Sequence, residues 1–343
     1  MASPALGRRG ASAPAPEGLP PGQALARPVR AATGVSLGAA GAACLVELTL
    51  PGGWGDAAPV VLVAGLLLGL PHGAVDHLVP GFRSGRRPAV LAGFAAGYAV
   101  LAAVGWLAFR AAPGAALLAF VAVSVWHFGS GETAFADLRA GHPVRRRLAA
   151  ALVVGALVLL VPLVRGAEET AAVVAAVVPG SDGRLPPELT AVVLGAVLPA
   201  TAALAASLLA ARRWLDAAEL GVLTALVLVV PPLAAFGVWF GCWHAVRHVA
   251  RVVAEDPGAR ADLVAGRLAR PLRRFAVQAA LPTAAVLVVL ALLWEAAGGW
   301  RAFVATDVPV LAALTLPHVL VVGWLDRLES TGTGPGGRTS GGP

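Results

Sequence analysis

Lysine is absent from this chain: all 26 basic residues among its 343 are arginine. Charge of any kind is scarce, at 13% against 58% apolar residues, where a soluble domain carries roughly 25% charged residues. A chain this poor in charge cannot coat a globule with polar surface, which excludes a soluble enzyme, a disordered regulator and a coiled coil. Cysteine is nearly absent too. Cys44 and Cys242 both sit in apolar runs, so neither a disulfide framework nor a zinc ribbon can be built. The net charge of +7 resembles a nucleic-acid signal. The arginines, however, fall in short clusters between apolar runs, as topology charges do, and not along a phosphate-tracking stripe. No nucleic-acid partner is expected. The mean hydropathy of +0.78 points to an integral membrane protein.

Ten apolar runs are long enough to read as bilayer-spanning helices. They cover 34–50, 57–80, 88–111, 115–136, 148–165, 188–211, 217–233, 235–253, 273–296 and 306–325. Alternation is missing and alanine dominates, so the fold class is an all-α membrane bundle. The run 217–253 is too long for one span and is split at Pro231 and Pro232; the short stretch 168–178 reads as re-entrant or interfacial. Arginines cluster at 8–30, 83–87, 139–147, 212–213 and 251–274. With ten spans every cluster falls on one side, which the arginine bias makes cytoplasmic, with both termini inside at the cell membrane. Residues 1–33 and 329–343 read as disordered tails around a catalytic membrane domain at 34–328.

Ionisable groups inside a span are expensive and mark function by default. Six of the seven histidines fall in four runs: His72 and His77, His127, His244 and His248, and His318; His142 lies in a loop. Asp76, Glu132 and Arg247 accompany them. All four runs point the same way through the bilayer. His72, His127, His244 and His318 then lie within about two helical turns of one depth, where they can converge in the bundle interior. His244 and His248 share a helix face at the spacing that lets two imidazoles bind one metal. Asp76, four residues after His72, can hold the second ring nitrogen of a ligating histidine. Gly73 and Gly129 leave room for a backbone or ligand. Trp126, Phe128, Trp239, Phe240 and Trp243 offer an aromatic wall. Arg247, beside a metal, needs a counter-ion, expected from Asp76 or Glu132. Neutral imidazoles with few carboxylates suit Fe, Zn or Cu. Two-histidine haem for electron transfer, and a histidine-lined transporter or proton channel, compete with that reading. The zinc-protease pattern H-E-x-x-H is absent, as are the H-x-x-H-H boxes of desaturases.

Four segments, GLPHGAVDH (69–77), WHFGSGE (126–132), CWHAVRH (242–248) and LTLPHVLVV (314–322), resemble the Brp/Blh family of integral-membrane β-carotene 15,15′-dioxygenases in order and spacing. The resemblance implies an Fe(2+) enzyme that uses O₂ to split the central double bond of β-carotene into two all-trans-retinal molecules. It assigns the metal to His72, His127, His244 and His248, with His318 close by as a reserve or supporting group and His77 as a looser element. Glu132 stands where many members carry Asp. A polyene dissolved in the bilayer can enter a midplane site laterally, and the retinal product suggests a link to a retinal-binding rhodopsin.

Overall fold

The computed structural model describes residues 22–84, 87–145 and 147–330. Among them every regular element is a helix. In chain order these are α1 (Gly22–Thr49), α2 (Ala57–Ala74), α3 (Leu78–Ser84), α4 (Pro88–Ala111), α5 (Pro113–Arg139), α6 (Leu148–Arg165), α7 (Ala167–Val177), α8 (Pro187–Ala210), α9 (Trp214–Val229) and α10 (Pro232–Trp239). A π turn at Phe240–His244 leads directly into α11 (Ala245–Glu255), followed by α12 (Arg260–Val264), α13 (Ala269–Ala297) and α14 (Trp300–Ser330).

Eight of these helical stretches are long and apolar enough to cross a membrane, as expected of an all-α membrane bundle. The expected count of ten is not reached by that measure. The run 217–233 folds as α9, with 16 residues. The run 235–253 is helical throughout but is interrupted by the π turn and carries His244, Arg247, His248 and Arg251. The short stretch 168–178 forms α7.

The outer boundary at residue 34 is too late. Helix α1 begins at Gly22, and Val29, Ala32, Ser36, Ala40 and Ala43 form a buried stripe along it. Arg27 and Arg30 interrupt the linear apolar run but not this stripe, because they project from other faces. At the far end α14 continues to Ser330, so Glu329 belongs to the helix and not to a tail. The remaining tail residues, 1–21 and 331–343, lie outside the described residues.

Core and periphery follow from burial. Leu157, Val158 and Val161 of α6 are fully buried, and α6 packs with α5, α9 and α10 around Leu226, Ala234, Ala235 and Trp239. Helix α4 buries Phe109 alone among its 24 residues. Long apolar helices with exposed flanks are stable where the surroundings are hydrocarbon.

Small residues set the closest helix contacts, as expected where lipid removes the hydrophobic drive between helices. A Cβ on Gly129 would stand 1.7 Å from the Ala151 carbonyl oxygen, and one on Gly155 would stand 1.8 Å from that of Val125. These reciprocal approaches lock α5 to α6 beside His127. Gly65 and Gly237 do the same for α2 and α10, where the added Cβ atoms would meet backbone at 2.0 and 2.5 Å.

Candidate functional site

The five histidines at 72, 127, 244, 248 and 318 come together from α2, α5, the π turn, α11 and α14, and all five are buried. His72 has its ring centre 5.4 Å from that of His244, 5.5 Å from His248 and 5.1 Å from His318. His127 lies 5.4 Å from His244 and 5.0 Å from His318; His248 and His318 are 5.5 Å apart. A nitrogen about 2.1 Å from a metal puts its ring centre about 3.2 Å away, so two rings at a tetrahedral angle stand about 5.2 Å apart. The observed spacings are those of rings grouped around one point.

The nitrogens carry the second half of the pattern. Nε2 of His127, of His244 and of His318 is buried without a hydrogen-bond partner, a state that buried polar atoms rarely keep without a reason. Nδ1 of His72 is hydrogen-bonded to the Gly69 carbonyl. Donation there directs the lone pair of Nε2 outward from the helix. Among the described residues no three His, Cys, Asp or Glu side chains present a finished metal cage. The ring spacing and the orphaned nitrogens nevertheless fit a metal, because an imidazole pivots about a broad, soft terminal torsion and the nitrogens can turn inward at little cost.

Aromatic rings back the imidazoles. Phe128 packs edge-on to His244 at 5.0 Å and to Trp239 at 4.7 Å. Phe240 lies 5.5 Å from His72 and stacks on His244 at 5.9 Å. The π turn inserts one residue, which rotates the next helical segment by about 100°. His244 closes that turn and His248 comes one turn later on α11. Trp126 is 39% exposed and reaches toward Gly323 on α14, so its indole faces the periphery.

Asp76 serves a different histidine from its neighbour in sequence. Helix α2 ends at Ala74, and residues 75–77 form a turn, so the four-residue spacing from His72 does not keep one face. Both Asp76 oxygens lie against His318 Nδ1, at 2.9 and 3.0 Å. Tyr98 of α4 donates to the same carboxylate at 3.1 Å. His77 lies in the turn, half-buried; His142 is exposed in a loop.

Beside the histidines runs a buried charge layer. Arg247 bonds Glu132 at 2.9 Å and Glu219 at 2.7 Å, bonds Ser36 at 3.2 Å, and stacks over Trp243 at 4.1 Å. The Trp243 indole N–H donates to Glu132 at 2.9 Å. Of the two expected counter-ions Glu132 is therefore correct and Asp76 is not; Asp76 is committed to His318. Glu219, from the first turns of α9, is the partner that inspection of the apolar runs misses, because it stands at the edge of a run. Arg251, grouped by sequence with loop arginines, is fully buried and paired with Asp326 and Glu329 of α14. His127, Gly131, Glu132, His244, Arg247, His248, Arg251 and Val322 bound a small chamber beside the rings.

Comparisons with known proteins place the chain in a family. No solved structure matches the chain. It is 38% identical over 296 residues to the probable beta-carotene 15,15'-dioxygenase Blh of Halobacterium salinarum, covering 79% of this chain and 85% of that protein. It is 32% identical over 329 residues to the probable beta-carotene 15,15'-dioxygenase Brp of the same organism, covering 80% of this chain and 87% of that one. The family model for beta-carotene 15,15'-dioxygenase matches residues 63–326, a span that contains all five gathered histidines together with Asp76, Glu132 and Arg247. With that match and those relatives, the chain belongs to the beta-carotene 15,15'-dioxygenase family.

Proposed function

We propose that this protein cleaves the central 15,15′ double bond of β-carotene with O₂ to give two all-trans-retinal molecules, using Fe(2+) held by His72, His127, His244 and His248. The observation that carries the reading is the cluster of buried histidines, three of whose ring nitrogens lack any partner. Imidazole donors suit iron, whereas Ca or Mg sites are built from oxygens. When bound, Fe(2+) supplies a redox-active centre at which O₂ can be activated.

The protein's own residues do the rest. His72, His127, His244 and His248 would hold the ion with neutral imidazoles that leave its positive charge uncompensated. Phe128, Trp239 and Phe240 keep the rings in place and water away. The Glu132–Arg247–Glu219 pairing places a neutralised cation next to the histidines, so Arg247 does not repel a metal at full strength. The polyene, dissolved in the bilayer, enters laterally from the lipid side. Trp126, exposed at that periphery beside α14, is placed to meet it. No side chain is needed as an acid or base for the bond cleavage.

On the arginine bias both termini lie on the cytoplasmic side of the cell membrane. A retinal-binding rhodopsin is a natural consumer of the product. Expression in a bacterium that accumulates β-carotene tests the function. The cells should bleach, and chromatography should show retinal. Unchanged carotene despite membrane expression with iron supplied contradicts the reading. A Soret band in the purified protein would point to haem instead, and solute flux in liposomes without bound iron to a transporter.

A further inference from the structure

We infer that His318 is itself a ligand of the metal, and that Asp76 and Tyr98 are the positioning residues that aim it. This deepens the reading of the cluster as an iron site and rests on it.

The His318 ring sits within the group and not behind it: its centre is 5.1 Å from His72, 5.0 Å from His127 and 5.5 Å from His248. These are the same spacings that relate the other histidines to one another. A supporting group behind a ligand would touch that ligand's outer nitrogen. Here the Nδ1 of His72 is occupied by the Gly69 carbonyl, and His318 turns its own Nδ1 away from the cluster, toward Asp76.

The two nitrogens of His318 are in unlike surroundings. Nδ1 faces both oxygens of a buried carboxylate, so it carries the proton. The lone pair then falls on Nε2, and Nε2 is buried with no hydrogen-bond partner. A histidine kept only for packing has no use for a lone pair fixed in a dry interior among other imidazoles. The carboxylate–histidine pair is the arrangement by which proteins hold a ligating ring in one tautomer and raise its basicity.

Tyr98 completes the set from α4. Its hydroxyl lies 3.1 Å from Asp76 and 3.2 Å from the Leu314 carbonyl. Its single proton goes to the carboxylate, the stronger acceptor. Asp76 thereby stays fixed between α2 and α14, and it brings one negative charge to a site otherwise built of neutral donors. With His318 included, five imidazoles would hold the ion in place of four.

The test uses the full-length protein in detergent, loaded with Fe(2+) without air. It reads iron per chain, affinity by chelator competition, and the number of imidazoles by X-ray absorption. The wild type should show five imidazoles. His318→Ala should show one fewer and bind iron at least about 100-fold more weakly. Imidazole added to His318→Gly should restore the wild-type spectrum. Asp76→Asn should keep the imidazole count but lose about 10- to 100-fold in affinity, and Tyr98→Phe should lose less. A wild type with four imidazoles, matched by a His318→Ala variant of equal affinity and equal count, overturns the inference and leaves the iron reading standing. Wild-type affinity in Asp76→Asn overturns the positioning role. A wild type that takes up no iron overturns the iron reading, and this inference with it.

Discussion

Two buried polar layers lie side by side in this bundle, and they are built on opposite terms. In the arginine layer the charges are matched several times over: Arg247 meets Glu132, Glu219, Ser36 and the face of Trp243, and Arg251 meets Asp326 and Glu329. In the histidine layer the outer nitrogens of His72 and His318 are matched, while Nε2 of His127, His244 and His318 has nothing. Burial of polar groups is common to both layers. Three imidazole nitrogens left without partners, donors that suit a transition metal, separate the reactive layer from the structural one.

If that contrast is real, substitutions in the two layers should fail in different ways. The largest functional effect is expected for His72→Ala, His127→Ala, His244→Ala and His248→Ala. Each should reduce retinal formation to below about 1% and strip iron, with little loss of folded protein, because each removes one imidazole of the proposed iron site, and at His127 and His244 one whose Nε2 has no partner to lose. Retinal yield and metal content, measured alongside thermal unfolding in detergent, check this.

Arg247→Ala should do the reverse. It leaves Glu132 buried without a cation and takes from Glu219 one of its two arginines, Arg139 being the other, at a cost of about 3–5 kcal/mol in stability, readable as a large drop in unfolding temperature. If Arg247→Ala folded as well as wild type and lost only iron, the layers would not be separable.

Gly129→Ala comes next. Its new Cβ would meet the Ala151 carbonyl, and backbone cannot yield as a flexible side chain can. Overpacking of this kind costs about 1–3 kcal/mol, and the displacement of α5 should lower retinal yield along with folded yield. His142→Ala, in an exposed loop, should alter neither readout by more than experimental scatter; damage equal to that of the four core histidines would undo the assignment.

Much of this architecture was legible from linear sequence, and the limits have physical reasons. Apolar length and the absence of alternation are local properties, so the helices emerge from reading along the chain. Histidine is rare in membrane helices, so its concentration in four runs stands out before any contact is known. Partners across the bundle are another matter. Asp76 points to His318 and not to His72 because α2 ends in a turn between them, and that turn is invisible in an apolar run. Glu219, Tyr98 and Arg251 acquire their roles from the rotation of helices far apart in sequence. Arg251 in particular reads as a loop charge until α14 brings Asp326 and Glu329 to it. The start of α1 was hidden for a similar reason: a buried stripe persists on one face of a helix even where arginines break the run.

The central claim is that the unpartnered histidine nitrogens hold the metal that the reaction uses. The most direct measurement is the iron content of purified protein, wild type against the His127→Ala, His244→Ala double variant, after equal exposure to Fe(2+). The account predicts close to one iron per wild-type chain and essentially none in the folded double variant. Equal iron in both, or none in the wild type, would contradict it.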